Sequence, residues 1–296
     1  MAKHAYLIMA HNDFPILKEL LRAIDDKRND IFLHIDIKSK GWDKTEFTSV
    51  VKFSNLFFVP STDVRWGGYS QVHCELRLIE AAINHSESYT YLHLLTGATY
   101  PLKNQDYMHD FFNKNQGYEF IGISPADFSQ RVQYDYLFNE MGKPNTFLKR
   151  RALTIRRIFL GIQKTFHWRR KYSNGIVVKK GLVYWSLTQA AATYLLAKED
   201  FIHKLCKDGL CNDEVFAQTT LWDSPFREKI FNVEDEYESC QRITPWGFSD
   251  ESHRENFFHE TDYNFLKQSG KLFALKFGGD EGLRLIKMIN GVSESA

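Results

Sequence analysis

The chain has 296 residues, a length that suits one large α/β domain or two small ones, and its 43% hydrophobic and 25% charged balance excludes wholesale disorder or coiled coil. Lys plus Arg total 38 against 37 for Asp plus Glu, a net charge of +1, which argues against a nucleic-acid binder. Cys74, Cys206, Cys211 and Cys240 fit neither a CxxC zinc site nor a dense disulfide framework, and no run of about 18 apolar residues offers a membrane span. The apolar start is broken by His11, Asn12 and Asp13, too short and too polar for a signal peptide, so a reduced, cytoplasmic protein is expected.

Residues 5–10 (AYLIMA) read as a buried strand with His11 at its carboxyl end. Ile16, Leu17, Leu20, Leu21 and Ile24 then recur at helical spacing over 14–25. IFLHID (31–36) and NLFFV (55–59) are further strands. Residues 70–84 predict a helix with Val72, Leu76, Leu78, Ile79 and Ala82 on one side and Ser70 as N-cap. YTYLHLLTG (89–97) closes a run of alternating strands and helices, the signature of a mostly parallel sheet. Ligands of such sheets lie beyond the carboxyl ends of the strands, which points to His11, Asp36, Trp66 and Thr96-Gly97.

The second half is less regular. Residues 141–198 hold no Asp or Glu, and 143–180 carries twelve Lys or Arg interleaved with apolar residues. One reading is a solvated helix with a buried apolar stripe. The other is a basic amphipathic segment that meets anionic lipid or an anionic acceptor.

GxGxxG, GxxxxGK[ST], HExxH and GxSxG are all absent, so the dinucleotide, P-loop, zinc-protease and serine-hydrolase readings lack their fingerprints. Asp-x-Asp is absent too, so a nucleotide diphosphate would have to be neutralised by Arg and Lys. Three segments stand out: VRWGGYSQVHCELRLIEAA (64–82), LLTGATYPLKN (94–104) and CNDEVFAQTTL (211–221). Singly, a Gly-Gly pair is a turn and an Asp-Glu pair is a helix-start device.

Together with AYLIMAHNDFPILKELLRAID, IFLHIDIKS, KKGLVYWSLTQAAATYLL (179–196) and GKLFALKF (270–277), they run in an order that resembles the core-2/I-branching β-1,6-N-acetylglucosaminyltransferases. That group, glycosyltransferase family 14, includes the peptide O-xylosyltransferases. The likeness spans residues 5 to about 277 and is poor over 120–178. It implies a GT-A-like Rossmann-type fold, a UDP-sugar donor, inversion at the anomeric carbon and no metal cofactor. Glu214 matches the catalytic base, with Asn212 where the family has proline. Lys276 matches the diphosphate-binding lysine, its structural alternative being an exposed lysine after a strand. Arg254 stands near the family's arginine, with Arg242 as the alternative. Met9, His11, Asp36 and Trp66 match nucleoside-binding positions, and Trp246 and Phe248 match an acceptor-facing stretch; a core tryptophan is the other reading of Trp246. Thr99 stands where the family often has Asp, which leaves that donor-sugar contact open.

The resemblance thus implies a single domain, 1–296, with a UDP-sugar-binding half over 1–105 and an acceptor-binding and catalytic half over 106–296. A bacterial-type member would make surface polysaccharide, on a glycan acceptor that can be lipid-linked, with GlcNAc the first donor sugar and xylose the next. Such a protein would sit in the cytoplasm, with a peripheral contact on anionic membrane through 143–180. Two rivals are a metal-dependent hydrolase or nucleotidyltransferase using Asp36, Asp213 and Glu214, and a non-catalytic nucleotide- or glycan-binding module.

Overall fold

A computed structural model describes residues 3–85, 88–171, 175–247 and 257–291. The elements in chain order are β1 (Lys3–Ala10), α1 (Phe14–Ala23), β2 (Asn29–Ile35), α2 (Lys44–Thr48), β3 (Asn55–Val59), α3 (Tyr69–Ile83), β4 (Tyr89–Thr96), β5 (Thr99–Pro101) and α4 (Gln105–Lys114). There follow α5 (Gln130–Gln133), α6 (Phe147–Thr165), β6 (Ser186–Thr188), α7 (Gln189–Ala197), α8 (Glu199–Cys206) and α9 (Phe216–Trp222). The chain ends with α10 (Glu236–Cys240), β7 (Arg242–Ile243), α11 (Tyr263–Gln268), β8 (Phe273–Leu275) and α12 (Gly279–Ile289).

The main sheet has the order β3-β2-β1-β4-β6. Its first four strands are parallel, and β6 pairs antiparallel with β4. Alternate residues feed two cores. Ala5, Leu7, Phe32, Leu92 and Leu94 pack with α3, α7, α8 and α9; Tyr6, Ile8, Ile31, Leu33 and Leu95 pack with α1, α2 and α4. Every residue of β2 is buried, as a central parallel strand covered on both faces requires. A second sheet, β5-β8-β7, lies beyond the end of β4. The mixed α/β fold with a mostly parallel sheet is therefore the one expected. Residues beyond 105 complete it, because β6 lies at its edge.

Two local expectations change. Gly68, not Ser70, is the N-cap of α3, and the Ser70 hydroxyl instead accepts from Arg65 N at 2.8 Å. The apolar residues of α6 are half-buried at Leu153, Phe159 and Leu160 and exposed at Leu148, Ile155, Ile158 and Ile162. The buried residues of that helix are Arg156 and Gln163.

One feature of the core has no signal in the hydrophobic pattern. His93 Nδ1 meets Ser186 Oγ at 2.8 Å and its Nε2 meets His4 Nδ1 at 3.0 Å. His109 bonds Asn29 Oδ1 at 2.9 Å, and Asn29 donates to Gln105 Oε1 at 2.8 Å. Burial holds His4 and His93 well below the usual imidazole range, so they are neutral. All four cysteines are free thiols.

Candidate functional site

The carboxyl ends of β1 and β2 carry the first group of residues. Met9, next to last in β1, is half-buried against the α3-side core. His11 follows the strand, and its backbone carbonyl accepts from Ser39 Oγ at 2.7 Å. Desolvation lowers its pKa, opposed by Asp36 and reinforced by Lys276, Lys143 and Lys38. Asp36 is buried just past β2, and its carboxylate already receives three donors. These are Lys38 N and Lys38 Nζ, both at 2.8 Å, and Val64 N at 3.3 Å. Asp36 thus fixes the loop that leads to Trp66.

Trp66 is 55% exposed, with Lys143 Nζ 6.0 Å from its ring centroid. Gly67 follows with φ +78°, a conformation that favours glycine. A Cβ at Gly68 would collide with the Glu140 carboxylate. That carboxylate receives Ser70 N at 2.8 Å and Ser70 Oγ at 2.6 Å, so the start of α3 is tied to the segment before α6.

Lys276 is half-buried just after β8, and its ammonium lies 5.8 Å from the Trp246 ring centroid. Burial, and then the nearby Lys143 ammonium, lower its pKa. Trp246 is 49% exposed on a turn at Pro245–Gly247, so the core reading of this tryptophan fails. Lys276 and Lys143 both act on His11 at this mouth, while Lys38, the third cation there, is paired with Asp36 and Asp63.

Glu214 ends a one-turn 3-10 helix, Asn212–Glu214. Backbone bonds fix the turn: Cys211 N donates to Gly67 O at 2.8 Å, and Gly181 N donates to Glu214 O at 2.9 Å. The first bond joins the carboxylate's turn to the Trp66 loop. Arg131 Nη1 pairs with Glu214 Oε2, and Lys180 Nζ approaches the same oxygen at 3.5 Å. Both cations engage Oε2; among the described residues Oε1 makes no hydrogen bond. The side chain is 31% exposed, open enough to meet a substrate.

Beneath Glu214 lie two buried acids. Asp213 Oδ2 accepts from Gln71 Nε2 at 2.8 Å, while its Oδ1 and both oxygens of Glu75 have no partner among the described residues. Burial, and then the neighbouring Asp213, raise Glu75 well above the carboxylate range. Burial, and then Glu214, raise Asp213 from 3.8 to about 7. A raised folded-state pKa stabilises below the unfolded value and loses that stability as pH rises through the folded value. Stability is therefore lost at Asp213 as pH rises from about 4 to 7, and the full cost remains above pH 7. Asp213→Asn is expected to flatten that decline and to stabilise the protein at pH 8 by roughly 1–3 kcal/mol. Melting curves across pH check this; an unchanged profile would show that Asp213 is ionised throughout.

The other expected residues fall elsewhere. Arg242 is fully buried and does not reach the mouth. It donates to Cys240 O, to Trp185 O at 2.6 Å and to Ser186 Oγ at 3.0 Å. Burial lowers its pKa to about 10. As a diphosphate ligand it is corrected to a core crosslink. Arg254 and Phe248 lie outside the described residues. Thr99 is buried, and its hydroxyl accepts from Thr96 N at 3.2 Å, so it serves its own turn. Asp36, Asp213 and Glu214 do not form a metal cluster; among the described residues no three His, Cys, Asp or Glu side chains do. Sequence reasoning missed Arg131, Lys143 and Glu140, which sit where the family likeness is poor and no motif marks them.

The chain is similar in sequence to several named proteins. A human protein, probable β-1,3-galactosyl-O-glycosyl-glycoprotein β-1,6-N-acetylglucosaminyltransferase 7, is 27% identical over 108 residues, 36% of this chain and 25% of that protein. Xylosyltransferase 2 of Bos taurus is 22% identical over 258 residues, 82% of this chain and 26% of that protein. The mouse β-1,3-galactosyl-O-glycosyl-glycoprotein β-1,6-N-acetylglucosaminyltransferase 4 is 24% identical over 224 residues, 73% of this chain and 46% of that protein. The chain thus spans from a quarter to just under half of these relatives' own length. Mouse xyloside xylosyltransferase 1 in its apo form covers 93% of this chain and 97% of its own, at 13% identity and a TM-score of 0.37, too loose to carry weight. The family model for the core-2/I-branching enzyme matches residues 4–268, and the chain belongs to that glycosyltransferase family.

Proposed function

We propose that the protein transfers a sugar from a UDP donor to a hydroxyl of a glycan acceptor, with inversion and without a metal. The observation that carries this reading is Glu214, whose Oε1 is open while Arg131 and Lys180 hold Oε2. Inversion needs one base. Glu214 Oε1 takes the proton of the acceptor hydroxyl as its oxygen bonds to the anomeric carbon, and UDP departs with the electron pair of the broken bond. On this reading Lys276 and Lys143, close enough to influence each other, supply fixed cations for the growing diphosphate charge. The Trp66 ring supplies an aromatic face for the nucleoside, and the Trp246 ring one for the acceptor sugar. The names of the relatives favour GlcNAc as the donor sugar and xylose next. A role in bacterial surface polysaccharide synthesis, on the cytoplasmic side, follows from the same reading.

A panel of UDP-sugars in EDTA, scored for UDP release and thermal shift, tests it. One donor is expected to raise the melting temperature and to be hydrolysed slowly. Activity that appears only with added divalent metal would overturn the metal-free mechanism. A UDP-sugar that binds without turnover, with any acceptor, in both wild type and Glu214→Gln, would make the protein a binding module instead.

A further inference from the structure

Helix α6 is mounted the wrong way round for a soluble protein. Its 19 residues bury Arg156 and Gln163. Arg156 Nε donates to Leu137 O at 2.7 Å and Nη2 donates to Phe138 O. Gln163 Nε2 donates to Asp135 O at 2.9 Å, and its Oε1 accepts from Asp135 N at 3.0 Å. These polar anchors dock the helix on segment 135–138. Leu153, Phe159 and Leu160 are half-buried, but the rest of its apolar side faces outward: Leu148 is 78% exposed, Ile158 60% and Phe166, just past the helix, 76%. Leu148, Ile155 and Ile162 are spaced by seven, so they share one face. An outward stripe of this kind on a 19-residue helix is a contact surface.

Charge selects its partner. Arg150, Arg151, Arg157 and Lys164 are exposed on the same helix, and no acid occurs from 141 to 198. Two copies of such a face would bring like charges together. Exposed apolar residues flanked by basic ones match the boundary of an anionic bilayer, where apolar side chains enter the acyl region and cations meet phosphate. No described helix is long and apolar enough to cross a membrane, so the contact is peripheral. We infer that α6 is an interfacial helix that seats the protein on an anionic lipid surface. The segment under α6 also carries the site: Arg131 reaches Glu214, Glu140 caps α3 and Lys143 faces Trp66. The catalytic mouth therefore adjoins the seated face, within reach of an acceptor that is itself held in lipid. The inference rests on α6 alone and stands whatever sugar is transferred.

The test is flotation of the full chain with vesicles of phosphatidylcholine, with or without phosphatidylglycerol. Wild type is expected to float with the anionic vesicles and to remain at the bottom with neutral ones. Two doublets, Ile158→Asp with Ile162→Asp and Arg150→Glu with Arg157→Glu, are each expected to lower anionic binding by about tenfold or more at unchanged melting temperature. Arg156 is left alone because it anchors the helix. Should a doublet misfold, Ile158→Ser and Arg157→Gln serve in its place. No flotation of wild type, or flotation equal in wild type and both doublets, would overturn the inference. So would a wild-type dimer that the isoleucine doublet splits and that does not float.

Discussion

Glu214→Gln is expected to lower turnover by about 10²–10⁴-fold with donor binding intact. The amide keeps the shape of the side chain, and its carbonyl oxygen can still accept from Arg131, so the turn at Asn212–Glu214 survives. What is lost is an oxygen able to take a proton. Thermal shift with the preferred UDP-sugar should match that of wild type, since Lys276, Lys143, Asp36 and Trp66 lie on other segments. Single-turnover kinetics separate the chemical step from binding and release. Full turnover in the variant would remove Glu214 from the chemistry. Loss of the thermal shift as well would make it a donor ligand.

Arg242→Met is expected to act on stability and not on the donor. The guanidinium is fully buried, serves Trp185 O, Cys240 O and Ser186 Oγ, and lies 5.0 Å from the Phe273 ring centroid. Its removal strands Cys240 O in the core, at about 1–3 kcal/mol for an acceptor that stays unpaired, while Trp185 O keeps Leu94 N and Ser186 Oγ keeps His93 Nδ1. A loss of about 1–3 kcal/mol follows, read as a drop in the denaturation midpoint. A diphosphate ligand would behave otherwise: its loss would weaken UDP binding and leave the melting temperature of the free protein nearly unchanged. The two outcomes therefore separate a core crosslink from a site residue in one pair of assays.

Much of the first half was legible because its signals are local. The continuous apolar runs of β1 and β3 and the period-3.6 patterns of α1 and α3 are strong, and each ran to within two residues of its expected ends. The parallel sheet then placed His11, Asp36 and Trp66 at one end without further information. The second half hid its structure for physical reasons. β6, β7 and β8 are two or three residues long, below the length at which alternation can be seen. Arg242 attracted the diphosphate role by its place along the chain, and a linear reading cannot tell a buried guanidinium from an exposed one. For α6 the pattern itself was ambiguous. An apolar stripe at helical spacing is the same whether it faces in or out, and Arg156 and Gln163 decide the matter through carbonyls and amides of segment 135–138. Lys143 and Arg131 become visible only when that segment folds over the donor half.

The antiparallel edge has a consequence during synthesis. A ribosome releases β1 to β4 well before it has made Ser186–Thr188, which closes the edge of β4. Until residues 97–185 have been translated, the nascent chain carries a long apolar strand with one row of amides and carbonyls unsatisfied. Edges of that kind template pairing with other chains. Slow decoding between the two strands would lengthen the exposure, and a chaperone that shields the strand over that interval would raise the yield of folded protein.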